Sequence, residues 1–214
     1  MIRFIVADNH PVVQYGIKSY FDNHDTIEIF ATVGSFKCVT TLLQAQKIDV
    51  LMINLELEGL LGLKALKDLI IQNPLTKVLV FTELNELVYT QNLIKIGAVG
   101  FISKSSKMSE LEIQLLKVIA GKKIFNPEIE RKISMNHSSP KSERTFKKLS
   151  AREIEVLKFL NEGKRNIEIA QLLHLDEKTI STYKLRLLAK LEVTNLVDLI
   201  KKAEILGVFS EDLF

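Results

Sequence analysis

One cysteine in 214 residues, Cys38, leaves the chain unable to close an internal disulfide, so its fold must rest on packing, as suits a reducing compartment. Its neighbours Phe36 and Val39 predict a packed thiol rather than a reactive one. No apolar run approaches the roughly 18 to 20 residues of a membrane span, and the first residues lack the basic stretch and cleavage site of a signal peptide. The expectation is a cytoplasmic protein with no membrane partner. An excess of charge is missing too. The 29 basic and 26 acidic residues leave +3, spread as a surplus of one in each of residues 1–125, 126–146 and 147–214, so any case for nucleic acid rests on local placement. There is no G-x-G-x-x-G, no G-x-x-x-x-G-K-[ST], no nucleophile elbow and no internal repeat. His10, His24, His137 and His174 are scattered, none with a second His or Cys at ligand spacing. No metal and no cofactor is expected, and surface or capping roles suit these histidines better.

What is present is 47% apolar residues, enough over this length for two small cores. Residues 1–125 alternate short β-branched runs with helical patterns. The runs are Ile2 to Ala7, Ile27 to Val33, Val50 to Asn54, Val78 to Thr82 and Val99 to Ile102, short, apolar and rich in β-branched residues, as buried parallel strands are expected to be. Helical spacing falls near 10–22, 35–46, 60–73, 86–96 and 109–120. The fold class read from this is α/β, a five-stranded doubly wound parallel sheet followed by an all-α domain. Functional groups in such a sheet gather at the carboxyl ends of its strands, which here carry Asp8, Asn9, Asn54, Thr82 and, just beyond the fifth strand, Lys104. From Asn126 the pattern weakens. Pro127 to Ile133 predicts a short helix, and Asn136 to Glu143 reads as a polar linker within residues 126–146.

Residues 147–214 form the second domain. Ser150 and Glu153 have the spacing of a capping box, and Ile154, Val156, Leu157 and Leu160 follow at helical spacing up to Glu162-Gly163, where a residue tolerant of positive φ ends the helix. Asn166 is expected to cap a second helix over Ile167 to Leu173. After the turn at His174-Leu175-Asp176, a longer helix from Glu177 to Leu191 turns Ile180, Leu187, Leu188 and Leu191 inward and Ser181, Thr182, Tyr183, Lys184 and Arg186 outward. Cations on such a face neutralise phosphates, while hydroxyls and short side chains approach base edges. The order of helices is that of a helix-turn-helix module, which points to double-stranded DNA as partner.

The stretch Leu149 to Ile200 resembles the C-terminal domain of the NarL/FixJ/LuxR family of bacterial regulators, and Lys178-Thr179-Ile180-Ser181-Thr182-Tyr183-Lys184 looks most like its BvgA/EvgA branch. The resemblance implies that Ser181, Thr182 and Leu185 lie toward bases, that Thr179, Tyr183, Lys184, Arg186 and Lys190 lie toward the sugar-phosphate backbone, and that a helix near Asn195 to Leu206 carries a dimer contact. Where much of the family has lysine this chain has Ser181, so base preference does not transfer. The first domain, over about residues 1–122, resembles a response-regulator receiver through Ala7-Asp8-Asn9-His10-Pro11, Met52-Ile53-Asn54-Leu55-Glu56, Phe81-Thr82 and Gly100-Phe101-Ile102-Ser103-Lys104. A receiver accepts a phosphoryl group on an aspartate at the end of its third strand, and Asn54 stands there. A carboxamide is uncharged and a poor nucleophile. Asn9 replaces a second acidic residue, so only Asp8 remains to attract magnesium. Glu83 and Glu58 are further departures, read as filling the pocket, and Lys104 is expected to pair with Asp8 or Glu83. These residues imply a DNA-binding transcriptional regulator, not an enzyme, with a phosphorylation-independent receiver that serves dimerisation and regulation by another protein or a small ligand. The alternative is a protein-interaction antagonist acting through its receiver on a kinase or partner regulator. By family resemblance a second dimer face uses the first and last receiver helices, around Val13 to Tyr20 and Leu111 to Val118.

Overall fold

A computed structural model describes residues 1–134 and 149–208. The chain divides into two compact units, Met1–Glu83 with Leu93–Pro127 and Leu84–Asn92 with Glu128–Phe214. The linker expected at Asn136 to Glu143 lies outside the described residues.

The first unit carries β1 (Ile2–Ala7), α1 (Pro11–Phe21), β2 (Ile27–Val33), α2 (Phe36–Ala45), β3 (Val50–Ile53), α3 (Gly62–Gln72), β4 (Lys77–Thr82), β5 (Gly100–Ser103) and α5 (Met108–Ile119); α4 (Glu86–Ile96), which follows β4 in the chain, begins in the second unit and ends in the first. The strands form one parallel sheet in the order β2-β1-β3-β4-β5. Alternation along each strand divides its side chains between two faces. Phe4, Val6, Val50, Met52, Leu79, Phe81 and Ile102 pack with Ile17 and Phe21 of α1 and Leu111, Leu115 and Val118 of α5. The intervening Ile5, Leu51, Ile53, Val78 and Val80 point to the other face and are equally buried, as are Val39 and Leu43 of α2 and Leu63, Leu66 and Leu69 of α3. That helical phase corrects one expectation. With Val39 turned inward, Cys38 falls on the outer side of α2 and is exposed rather than packed.

One glycine is dictated by close approach. Ile124 bridges to Gly100, and a Cβ at residue 100 would sit 2.8 Å from the Ile124 carbonyl oxygen. Register then places the strand ends side by side: Ala7 pairs with Ile53, and Thr82 with Ser103. Asp8 and Asn54 therefore emerge together, and Lys104 follows at the same end.

In the second unit α6 (Pro127–Ser134) is followed by α7 (Ala151–Asn161), α8 (Asn166–Leu173), α9 (Glu177–Lys190) and α10 (Leu196–Ile205). Ser150 Oγ accepts from Glu153 N at 3.3 Å and Glu153 Oε2 accepts from Ser150 N at 2.7 Å, so the expected capping box starts α7; Gly163 ends it at φ +73°. The start of α8 differs from expectation. Arg165 is the N-cap, with Glu168 reaching back to accept from its backbone N–H at 2.7 Å, and Asn166 is the first helical residue. Ile154, Val156, Leu157, Leu160, Ile180, Leu187 and Leu191 are buried as expected, while Leu188 is only half-buried. Asn195 caps α10 by accepting from Asp198 N at 2.9 Å. Among the described residues no helix is long and apolar enough to cross a membrane.

Candidate functional site

At the strand ends of the first unit, backbone geometry and side-chain chemistry close a pocket on itself. Asp8 Oδ1 accepts from the backbone N–H of His10 at 2.9 Å, the turn that a short acid readily forms two residues before a helix start, and Pro11 then opens α1. The same oxygen lies 2.9 Å from His10 Nδ1, and Asp8 Oδ2 lies 2.8 Å from Lys104 Nζ. Lys104 Nζ is also 3.1 Å from His10 Nδ1. Asp8 and the Lys104 side chain are almost fully buried, so this is an ion pair shielded from water rather than a surface contact.

Asn54 is likewise bonded at both of its side-chain polar atoms. Its Nδ2 donates to Asn9 Oδ1 at 2.9 Å, its Oδ1 accepts from Glu56 N at 3.2 Å, and its own backbone N–H donates to Ala7 O. Thr82 is buried, and its carbonyl accepts from Lys104 N at 3.0 Å. Phe101, buried on β5, donates its backbone N–H to Ile124 O. Of the residues expected to fill the pocket, Glu58 and Glu83 are exposed and do not. His10, expected only in a surface or capping role, instead contacts both members of the Asp8–Lys104 pair from an exposed position. Its signal was present: an aspartate two residues before it and a proline one after position it beside the acid. Among the described residues no three His, Cys, Asp or Glu side chains converge on a metal position.

The second candidate is the outward face of α9. Lys178, Thr182, Leu185 and Arg186 are exposed, and Thr179, Ser181, Tyr183 and Lys184 are half-buried. Arg186 leans over the Tyr183 ring, 5.8 Å from its centroid, so the guanidinium keeps its charge outward while its stem is supported. Thr182 Oγ1 donates to Lys178 O at 2.9 Å. Ser181 Oγ accepts from Asn166 Nδ2 at 3.2 Å, a bond between α8 and α9. Lys190 differs from the rest of this set in having a partner within the domain. Its ammonium donates to Glu153 Oε2 at 2.6 Å, tying α9 to the start of α7. Nothing in the local sequence signals this pair, because its members lie 37 residues apart. Burial pushes the Glu153 carboxyl up, but the bonds from Lys190 and from the Ser150 backbone and hydroxyl together outweigh it and hold the group below its ordinary value. Arg152 completes the frame, bonding Glu155 at 2.7 Å and Leu173 O at 2.9 Å.

Comparison with known proteins matches both units. Residues 4–116 match the response regulator receiver domain, and residues 147–203 match the luxR family of bacterial regulatory proteins. A putative transcriptional regulator of Pseudomonas aeruginosa is 34% identical over 94% of this chain and 96% of its own length. The Fimbriae Z protein of Salmonella typhimurium is 30% identical over 94% and 95%. Among solved structures, RcsB of Salmonella enterica serovar Typhimurium bound to promoter rprA with phosphomimetic BeF3- aligns at TM-score 0.78 and 23% identity, covering 95% of this chain and 98% of that one. A structure of two RcsB dimers bound to two parallel DNAs aligns at TM-score 0.57 and 25% identity over 95% and 98%.

Proposed function

The chain belongs to the response regulators that join a receiver domain to a luxR-family helix-turn-helix domain, and from that premise we propose that it binds specific DNA sequences without needing phosphorylation. The observation that carries this is Asn54. At the acceptor position it offers a carboxamide in place of a carboxylate, and both of its polar atoms are already bonded within the protein. A phosphoryl group would find neither a nucleophile nor an open site there. In the same pocket Lys104 is paired with Asp8, a contact that holds the strand ends together.

The receiver then serves as a dimerisation and regulatory module, responding to another protein or a small ligand. Exposed apolar residues support the two pairing faces: Val12 and Tyr15 of α1 with Ile113 and Leu116 of α5, and Val197 and Ile205 of α10. Tyr20 Oη donates to Glu112 Oε2 at 2.7 Å and ties α1 to α5 beneath the first face. A two-fold pair doubles the few base pairs that one recognition helix reads, and RcsB, a fold relative, is seen as dimers on DNA. On α9, Ser181, Thr182 and Leu185 take the base-facing positions, and Lys178, Thr179, Tyr183, Lys184 and Arg186 the phosphate-facing ones.

Footprinting and sequencing of bound DNA with the unmodified full chain test the reading. Defined protected sites are expected, identical with and without a small phosphodonor, occupied by two chains per site. Weak, sequence-blind binding would overturn it and leave the interaction reading in its place.

A further inference from the structure

The two adjacent hydroxyls of α9 are each held by a bond within the protein. A serine or threonine hydroxyl owns one proton and two lone pairs, and in isolation it rotates to suit either kind of partner. Thr182 cannot do so freely: its proton is given to Lys178 O at 2.9 Å, which leaves its oxygen to DNA only as an acceptor. Ser181 is held from outside its helix. Its oxygen accepts from Asn166 Nδ2 at 3.2 Å, which takes one lone pair and leaves its proton and the second lone pair for a base. Asn166 sits at the first position of α8, held there by the Arg165 and Glu168 cap, and reaches α9 from a different helix.

We propose that Asn166 is a positioning residue for base selection: by holding the Ser181 hydroxyl from a second helix, beside Thr182 as an acceptor, it fixes which base the Ser181 position prefers. In the major groove guanine and thymine present acceptors, whereas cytosine presents a donor and adenine a donor beside its N7. Thr182 therefore selects cytosine or adenine, and the preference at the base met by Ser181 depends on Asn166. The inference rests on the DNA-binding reading above and adds what holds Ser181 and the direction that Thr182 offers. It also accounts for Asn166 being a helical residue rather than the cap: a side chain spent on its own helix end could not reach Ser181.

The test is selection of bound sequences from a random duplex pool with the full chain and with Asn166→Leu, Asn166→Asp, Ser181→Ala and Thr182→Val. Ser181→Ala and Asn166→Leu should relax preference at one and the same base by roughly three- to tenfold, the worth of a single hydrogen bond. Asn166→Asp offers Ser181 only acceptors, takes up its proton and should leave cytosine or adenine as the preferred base there. Thr182→Val should relax a neighbouring base and leave the first untouched. Retention of the wild-type preference by both Asn166 variants, or relaxation by Asn166→Leu at a base other than the one Ser181 controls, overturns the inference while the DNA-binding reading stands. A wild-type chain that enriches no sequence removes both. If the Asn166 variants fail to fold, Asn166→Gln, which keeps the amide donor on a longer arm, replaces them and should shift preference only at the base relaxed by Ser181→Ala; a keto base at the position relaxed by Thr182→Val contradicts the assigned direction.

Discussion

The strand-end pocket of the first unit and the α9 face of the second are built from similar residues, and they differ in what those residues have left to offer. In the pocket, Asp8 is paired with Lys104 and His10, and Asn9 with Asn54. On α9, Thr182 and Ser181 each make one bond within the domain and keep bonding capacity to spare, and Lys178 and Arg186 extend into water. Two lysines show the contrast. Lys104 is buried against a carboxylate, whereas Lys184 lies half-buried on a helix whose far side packs the core. A polar group with all its valences met inside the protein stabilises the fold; one with a valence to spare recognises something else.

Substitution should therefore affect stability in one region and binding in the other. Lys104→Met leaves Asp8 buried without its cation and should lower unfolding free energy by about 2–4 kcal/mol, read as a shift in denaturant midpoint. An unchanged midpoint would show that His10 alone suffices for Asp8 and would blur the contrast. Lys184→Ala or Arg186→Ala should leave the midpoint in place and weaken binding to all DNA sequences by about tenfold, flattening the dependence of log K on log salt by up to about 0.9 per lost phosphate contact.

Glu153 sharpens the comparison from within the DNA-binding domain, because it belongs to the stabilising class although it touches α9. Its folded carboxyl is held below the ordinary value, so the unfolded chain takes up the proton first as pH falls. The contribution is full above the ordinary carboxylate range and is lost as pH drops below it. Lys190 is about a third exposed, so the effect is screened and amounts to roughly 1 kcal/mol. Glu153→Gln should flatten that part of the stability–pH curve, measured by denaturation from neutral pH downward, and leave base preference unchanged. The smallest expected effect is none at all: a phosphodonor with magnesium should not move the intact mass. A stable gain of one phosphoryl group mapping to residues 54–56 would place the pocket in the recognising class after all.

Local patterns were legible wherever they carried their own physics. Runs that are mostly apolar and rich in β-branched residues read as strands, so the bounds of β1 and of the edge strand β2 could be read to the residue, although only Ile27 of β2 is buried; the capping box at Ser150 and Glu153 announced α7 because its donors and acceptors lie three residues apart. The chemistry missing at Asn54 was equally plain, since a carboxamide is what it is in any fold. Misreadings arose where a side chain had more than one possible partner. Asn166 could cap its own helix or reach another, and tertiary packing gave it Ser181. Lys190 was read only for phosphate, and the crossing of α9 over the start of α7 also gave it Glu153 as a partner. Glu83 and Glu58 could enter the pocket or leave it, and both stay exposed. Periodicity and composition thus determined which segments would be strands and helices, because burial acts on every residue of a run. Which atom each polar side chain would touch was left to the tertiary structure, because a hydrogen bond depends on a few tenths of an ångström between residues that the chain brings together only on folding.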